Sequence, residues 1–182
     1  LSPDKKTILV VGGSLGARTI NRSIQGDLDK LFASDVDVQV IWQTGRYYHE
    51  EALKHLKAYR GMPIWCSDFI TRMDYAYAAA DLVLSRSGAG TVSELCLVAK
   101  PVLFVPSPNV AEDHQTKNAK ALEAKGAAVV VPDAEARTAA MRRAMELLSD
   151  KEALRTMSEN LEKLARPDAA ERIVDEIEKV MK

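Results

Sequence analysis

The chain has 182 residues, of which 47% are hydrophobic and 28% are charged, a composition typical of a globular protein that buries a core without metal or disulfide cross-links. This composition excludes a disordered tail, a collagen-like rod and a disulfide-rich toxin. The 25 Lys and Arg residues are balanced by 26 Asp and Glu residues. The chain therefore lacks the basic surplus that nucleic-acid binders direct at phosphates, and no nucleic acid is expected as a partner.

The two cysteines and the apolar runs bear on whether the protein binds a metal, forms disulfides or spans a membrane. Cys66 and Cys96 lie in apolar stretches and are expected to be buried thiols of a protein from a reducing compartment. Neither belongs to a CxxC motif or a Cys/His ligand set, so we expect no metal site. No apolar run reaches the roughly 18 residues that span a bilayer, and no signal peptide is evident. The sequence begins at Leu1, which favours a piece of a longer protein.

Strands and helices alternate in the first half of the chain. Residues 7–11 form a continuous apolar run that stops at Gly12, which predicts a buried strand. Apolar residues at helical spacing then predict an amphipathic helix over 17–32. The same criteria predict a strand at 36–42, a helix at 47–59, a strand at 63–66, a helix at 73–80 and a strand at 82–84.

The alternation continues and then gives way to helices. The pattern predicts a helix at 91–99, a strand at 101–105, a helix at 113–125 and a strand at 127–131. We interpret 133–138 as a short connection that carries no site. Two apolar helical stripes follow, Met141–Ala144–Met145–Leu148 and Leu154–Met157–Leu161–Leu164, and a last helix is predicted over 167–182 with Ile173, Ile177 and Val180 on one side.

These elements predict an α/β fold, a doubly wound, Rossmann-like parallel sheet of about six strands with helices on both faces. Ligands of such sheets bind beyond the carboxyl ends of the strands, so the strand-to-helix loops are the candidates for a site.

The first such loop is Gly12-Gly13-Ser14-Leu15-Gly16. It matches neither the P-loop nor the GxGxxG pattern, and Gln43 stands where a dinucleotide fold has an acidic residue. An anion-binding loop and a plain tight turn both remain open for it.

The loop after the fourth strand, residues 85–94 (SRSGAGTVSE), is more informative. Gly88 and Gly90 leave the backbone amides accessible at a helix N-terminus, which can hold a diphosphate without a metal. Ser87, Thr91 and Ser93 add hydroxyl groups to the same segment. Glu94 follows about one turn later and can accept hydrogen bonds from both hydroxyls of a ribose. The alternative is a capped helix start whose glutamate complements the helix dipole, and we favour the diphosphate site.

Two further loops are less specific by themselves. His114 and Gln115 can bond sugar hydroxyls, but an N-cap by Asp113 explains that segment equally simply. Phe69 and Ile70 can form an apolar shelf for a base whose edge the backbone reads, although plain core packing is the better interpretation of that pair alone. No serine nucleophile elbow, Cys–His pair or convincing general base is evident in these loops.

In combination, these loops resemble the carboxyl-terminal domain of the MurG family of bacterial peptidoglycan glycosyltransferases, which have the two-domain GT-B fold. The matching stretches cover nearly the whole chain, at residues 8–21, 67–94, 100–108, 112–128 and 167–180. The motif SRSGAGTVSE with DHQTKN downstream is the specific part. The resemblance implies a single nucleotide-sugar-binding domain over 1–182, with UDP-GlcNAc as donor.

The resemblance also implies a role for individual residues. Ser14 would contact a phosphate or the nearby sugar, Ile70 would read uracil through its backbone, and Arg86 would lie near the nucleotide. Glu94 would take the ribose hydroxyls. The amides of Ala89, Gly90, Thr91 and Val92 would hold the diphosphate, and His114 and Gln115 would contact the GlcNAc hydroxyls. Ser93 is a further implied donor contact.

The family's amino-terminal domain is not part of this sequence. The resemblance places the lipid I acceptor site, the general base and the membrane contact on that domain, with the whole enzyme at the cytoplasmic face of the inner membrane. We therefore expect an inverting, metal-independent hexosyltransferase whose present piece binds donor without transferring it, and no cofactor. The 167–182 helix is expected to pack toward the other domain. Two alternatives stay open, a UDP-GlcNAc 2-epimerase-like domain and the UDP-GlcNAc-binding subunit of a split glycosyltransferase.

Overall fold

A computed structural model describes residues 1–181 as six strands, eight α-helices and two short 3-10 turns. The elements in chain order are β1 (Lys6–Val11), α1 (Arg18–Phe32), β2 (Val38–Gln43), α2 (His49–Leu56), the turn Lys57–Tyr59, β3 (Ile64–Ser67), α3 (Met73–Ala79), β4 (Leu82–Ser85), α4 (Ala89–Val98), β5 (Val102–Phe104), the turn Ala111–Asp113, α5 (His114–Glu123), β6 (Val129–Val130), α6 (Asp133–Ser149), α7 (Lys151–Glu162) and α8 (Ala169–Val180). None of the helices in this part of the chain combines the length and the apolar character needed to cross a bilayer.

The strands form one sheet in the order β3-β2-β1-β4-β5-β6, and every neighbouring pair is parallel. This is the doubly wound order that the strand–helix alternation predicts. β1 lies at the centre, where its last residue Val11 is in register with Gln43 of β2 and Ser85 of β4. The chain leaves β1 toward β2 and later returns to β4 on the other side of β1, so the order of the strands reverses there.

The core explains why these segments form strands and helices. β2 is buried along its whole length and β1 along its four central residues, as expected for parallel strands that helices cover on both faces. The predicted apolar stripe of α1, from Ile20 to Leu31, is buried, and α1 packs against α6. Trp42 at the end of β2 is fully buried, and its Nε1 donates to Oδ1 of Asn21 at 2.9 Å.

The structure corrects several predicted boundaries. α4 begins at Ala89, two residues before the predicted start at 91. The predicted connection at 133–138 was wrong, because these residues form the first turns of α6 directly after Pro132. A proline followed in the chain by acidic residues is a typical helix start. Cys96 is buried as predicted but Cys66 is only half-buried, and burial raises the pKa of the Cys66 thiol to about 11.

The helical tail follows the predicted stripes up to its last element. Both stripes pack on the core, through residues such as Met141 and Leu161. α8 is different, since none of its residues is buried and Ile173, Ile177 and Val180 form an exposed apolar face. The predicted helix at 167–182 is thus confirmed over Ala169–Val180, while Lys182 lies outside the described residues.

The loops after β1 and β2 touch backbone to backbone. Gly16 and Gly45 both have positive φ values, +89° and +75°. A Cβ added at Gly45 would lie 2.0 Å from the backbone nitrogen of Gly16, and one added at Gly16 would lie 2.2 Å from the carbonyl oxygen of Thr44. Glycine is therefore required at both positions for conformation and for space.

We predict that Gly45→Ala destabilises the chain by about 2–5 kcal/mol, because left-handed strain and backbone overlap add together. The measurement is the urea-unfolding midpoint and slope. Gly61→Ala is the matched control, since Gly61 has φ +86° with open space around it; it carries the strain alone, about 1–2 kcal/mol. Equal losses in the two variants would contradict the close approach of the two loops.

Candidate functional site

The candidate site lies where the strand order reverses, between β1 and β4. The loop after β1 (residues 12–17) and the loop after β4 (residues 86–88) leave the same edge of the sheet side by side, because Val11 and Ser85 are in register. They lead into α1 and α4. A crevice between diverging loops at this point is where open α/β sheets bind ligands.

The N-terminus of α4 is free to bind an anion. Gly88 occupies the N-cap position, no side chain caps the helix, and its first turn contains no acidic residue. Ala89 and Gly90 are exposed, and the first three amides have no partner within residues 1–181. The alternative of a capped helix start with a glutamate in its first turn is therefore wrong. The Val92 amide, which the resemblance groups with these three, donates to the Gly88 carbonyl instead, at 3.0 Å.

Glu94 stands in the second turn of α4, next to an exposed Ser93. Its Oε2 accepts a hydrogen bond from the hydroxyl of Tyr77 at 3.1 Å. Burial, and then the charge of Glu94, raise the pKa of Tyr77, so the phenol stays protonated and keeps donating. Tyr77 thereby positions an exposed carboxylate whose Oε1 remains available to a ligand.

The β5–α5 loop is bound to the β4–α4 loop. The Ser87 hydroxyl donates to the Gln115 carbonyl at 2.8 Å, and Oε1 of Gln115 accepts from the Ser107 amide at 2.9 Å. The amide NH₂ of Gln115 is left for a ligand. His114 is exposed, and its Nδ1 lies 2.9 Å from the Ala111 carbonyl. Because a carbonyl only accepts, Nδ1 is the donor in this contact, and in the neutral ring Nε2 is then the acceptor.

The alternative of an N-cap by Asp113 is confirmed in position but not in its capping hydrogen bond. Asp113 does hold the N-cap position of α5, but its carboxylate caps no amide there. It accepts instead from the hydroxyl of Thr116 at 2.6 Å. Glu112 and Asp113 both have a left-handed backbone, with φ of 53° and 52°, a conformation that non-glycine residues seldom adopt and that is concentrated at functional loops.

Arg86 holds loops together. Its Nη1 donates to the carbonyls of Val105 and Pro106 at 2.8 and 3.0 Å and pairs with Oδ1 of Asp133 at 2.5 Å. The other oxygen of Asp133 accepts from the Thr19 hydroxyl in α1 at 3.0 Å. One carboxylate on α6 thus joins the helix after β1 to the loop after β4. Sequence reasoning missed Asp133, although an acid directly after Pro132 was the available signal of a helix start.

Ser14 lies in the loop after β1 and Ile70 in the loop after β3, on the side of β1 that faces away from β4. Ile70 is 7% exposed and packs in the core, whereas Phe69 is 53% exposed, so core packing explains only one of the pair. The Ile70 amide donates to Oε1 of Gln43 at 2.9 Å. Ser14 is exposed, and its carbonyl accepts from the Arg46 amide at 3.2 Å. Its hydroxyl is the first polar side chain of the glycine loop.

Two further features are a groove elsewhere on the molecule and the arrangement of possible metal-binding side chains. A groove of about 430 Å³ runs between α1 and α6, lined by Leu31, Met141 and Met145 among others. It lies toward the end of α1, at the opposite edge of the sheet from the loops above. Within residues 1–181, no three His, Cys, Asp or Glu side chains are grouped so that they could hold a metal ion.

The fold and this site define a class, a Rossmann-like domain with a crevice where the strand order reverses. Comparison with known proteins identifies the family. The model of the glycosyltransferase family 28 C-terminal domain matches residues 7–173, and the chain belongs to that family.

Individual relatives agree with this assignment. The chain is 70% identical over its full length to a UDP-N-acetylglucosamine–N-acetylmuramyl-(pentapeptide) pyrophosphoryl-undecaprenol N-acetylglucosamine transferase of Parabacteroides distasonis, covering 49% of that protein. It is 53% identical over 98% of its length to the protein of the same name in Porphyromonas gingivalis, covering 46%. The chain thus spans about half the length of these curated relatives.

Solved structures show the same fold. The crystal structure of Acinetobacter baumannii MurG superposes with a TM-score of 0.85 at 31% identity, over 98% of this chain and 51% of that one. A UDP-GlcNAc 2-epimerase from Neisseria meningitidis, solved with UDP-GlcNAc, superposes with a TM-score of 0.63 over 98% of this chain and 45% of that one. Its 17% identity supports a common fold only.

We predict that Asp133→Asn lowers the free energy of unfolding by about 1–3 kcal/mol, because a carboxylate only 20% exposed loses its ion pair with Arg86. Urea unfolding measures the change. Glu146→Gln is the control, since Glu146 pairs with two arginines on an exposed part of α6 and the unfolding midpoint should stay nearly constant. A loss no larger at Asp133 than at Glu146 would mean that this bridge does not hold the loops.

Proposed function

We propose that this chain is the UDP-GlcNAc-binding half of the glycosyltransferase that adds N-acetylglucosamine to lipid I to form lipid II in peptidoglycan synthesis. The observation that carries the proposal is the exposed, uncapped N-terminus of α4 followed one turn later by Glu94. It is supported by the 70% identity to a transferase of that name over the whole of this chain.

The diphosphate of the donor binds at α4 in this proposal. The amides of Ala89, Gly90 and Thr91 point out of the helix end and donate to phosphate oxygens, and the helix dipole adds a partial positive charge. The Thr91 and Ser93 hydroxyls lie on the same turns. No metal and no cofactor is needed, because the amides and the dipole stabilise the charge that develops on UDP as it leaves.

The remaining parts of the donor follow from the loops on each side. The carboxylate of Glu94, held by Tyr77, accepts from the ribose hydroxyls. Uracil lies against the loop at Ile70, and Ser14 of the glycine loop faces the phosphates or the sugar. On the far side, Nε2 of His114 and the NH₂ of Gln115 offer an acceptor and donors to the hydroxyls of GlcNAc. Arg86 and Asp133 hold the loops in place.

Transfer needs the other half of the enzyme. In the proposed inverting reaction an acceptor hydroxyl attacks C1 of GlcNAc, the bond from C1 to the phosphate oxygen breaks, and a general base takes the hydroxyl proton. We assign the base, the lipid I site and the membrane contact to the amino-terminal half, in an enzyme peripheral to the cytoplasmic face of the inner membrane. We propose that the amino-terminal half packs against the exposed apolar face of α8.

The alternatives have no specific observation in their favour. The structural likeness to a 2-epimerase is one of fold alone. A subunit of a split transferase would bind the same donor. Production of an epimerised UDP-sugar by this chain would favour the first, and a native protein no longer than this chain would favour the second.

We predict that the chain binds UDP-GlcNAc and UDP but not ADP in a calorimetric titration, and that EDTA leaves the affinity unchanged. The same preparation should transfer no measurable GlcNAc to a lipid I analogue, because the acceptor half is absent. ADP serves as the control for binding to phosphate alone. Absence of uridine-nucleotide binding at millimolar concentrations, or loss of binding in EDTA, would contradict the proposed metal-free donor site.

We predict that Glu94→Ala weakens UDP binding by about 1–3 kcal/mol, because hydrogen bonds to the ribose are lost. A nucleotide that lacks the ribose hydroxyls tests the same bonds from the ligand's side. The 2′,3′-dideoxy analogue of UDP should bind the unmodified chain and the variant almost equally. Glu162→Ala, at an exposed glutamate ending α7, is the control. If Glu94→Ala weakens UDP and the dideoxy analogue by the same factor, Glu94 does not bind the ribose.

A further inference from the structure

Two grooves lie end to end along the seam between α1 and α6, outside the crevice. The apolar groove, described above, has a volume of about 430 Å³, and the second, the cationic groove, has a volume of about 460 Å³. Asp27, Lys30 and Thr138 line both grooves, so one continuous channel runs along the two helices. Each volume is in the range of small-molecule sites, and clefts between packed helices are a common place for them.

The apolar groove has hydrophobic walls. Leu31 of α1 and Met141 of α6 are almost fully buried beneath it, and Val36 and Met145 are half-buried at its sides. Methionine side chains adapt their shape to different ligands. These walls offer an alkyl chain a place out of water, and they offer few partners to a sugar or a base.

The cationic groove lies nearer to the N-termini of both helices and has the opposite character. Arg22 of α1 and Arg137 of α6 both line it and are exposed, and among residues 1–181 neither is paired with a carboxylate. Asp27 is the one acidic residue among those that line this groove. Its Oδ1 already pairs with the ammonium of Lys30 at 2.7 Å, so two guanidinium groups remain for an anion.

Gly26 is an independent observation that points to a ligand in the cationic groove. It lies in the interior of α1, where glycine destabilises a helix relative to alanine. Its φ is not positive, and a Cβ added there would meet no atom within 4 Å. Neither backbone conformation nor packing among residues 1–181 therefore requires glycine, and the missing side chain leaves the groove open on the side of α1.

We propose that this channel binds a single-chain amphiphile with a phosphate head, with its chain in the apolar groove and its phosphate at Arg22 and Arg137. The unpaired charges that line the cationic groove are positive, which selects an anion. Guanidinium groups match the oxygens of a phosphate in bidentate geometry. This inference is independent of the proposed function, since the channel shares no residue with the crevice.

The test is a calorimetric titration of the whole chain with octyl phosphate below its critical micelle concentration. Octanol and inorganic phosphate represent the two halves of the ligand. Octyl phosphate should bind about tenfold or more tightly than either, because both grooves contribute. An excess of UDP should leave this affinity unchanged. Displacement by UDP would place the ligand in the crevice and overturn the inference.

Two substitutions of Gly26 locate the phosphate. Gly26→Leu fills the cationic groove and should weaken octyl phosphate about tenfold or more. It should also raise the thermal-unfolding midpoint, because leucine is the better helix former, so the loss of binding would not come from a loss of folding. Gly26→Ala is the matched control, which stabilises the helix but adds one methyl group and should keep the affinity within about twofold. Unchanged binding in Gly26→Leu would mean that the phosphate lies elsewhere.

Two arginine variants test the charge. Arg22→Gln and Arg137→Gln should each weaken octyl phosphate about fivefold or more and leave octanol unaffected. Arg60→Gln is the control, at an exposed arginine outside both grooves. Equal losses in all three would show a general attraction of anions and overturn the proposal. Failure to bind octyl phosphate at millimolar concentration would overturn it too, as would binding only to vesicles of anionic phospholipid, which would make this surface a membrane contact.

Discussion

β1 is hydrogen-bonded along both edges, to β2 on one side and to β4 on the other, and the position of every loop in the site depends on this pairing. Because all the strands are parallel, each strand-to-helix loop leaves the sheet at the same edge. Because the chain crosses to opposite sides of β1, the loops after β1 and β4 diverge there. The crevice is thus a consequence of strand order, and the uncapped end of α4 lies beside it.

Polar side chains outside the glycine loops keep that crevice in shape. Gln43 bridges the glycine loop to Ile70, and Asp133 bridges Thr19 to Arg86. The side chain of Gln115 accepts from the Ser107 amide, while the Ser87 side chain donates to the backbone carbonyl of Gln115. These bonds tie separate segments of the site to one another and satisfy polar groups that would otherwise need water as a partner. Loops ordered in this way need little further ordering when a ligand binds, and a preorganised site gains affinity for that reason.

The assignment of donor binding to one half of the proposed enzyme and of the general base to the other also has a physical basis. The described residues contain amides, a helix dipole, a carboxylate and hydroxyl-binding side chains, which are groups that bind and orient a charged sugar nucleotide. α8 carries an apolar face that nothing in residues 1–181 covers, unlike α6 and α7. An enzyme that closes two domains over its donor would complete the reacting groups and exclude water together.

Much of the architecture could be predicted because it depends on short-range pattern. A window of about ten residues is enough to predict each buried strand, the amphipathic α1 and each glycine loop. Predictions failed where a local signal was ambiguous. Gly88-Ala89-Gly90 has poor helix propensity, so the start of α4 was placed two residues late. Residues 133–138 were interpreted as a connection, although Pro132 followed by acidic residues is a signal for the helix start that the structure shows.

The sequence by itself thus determined the class of fold, the loops that line the crevice, and Glu94 as a candidate for the ribose. Only the tertiary structure decided which polar groups meet. Gln43 lies 30 residues from Gly13 and 27 from Ile70, and Asp133 lies 47 from Arg86. These pairs form because the strand order brings distant loops to one edge, and periodicity along a segment carries no information about which strand will lie beside it.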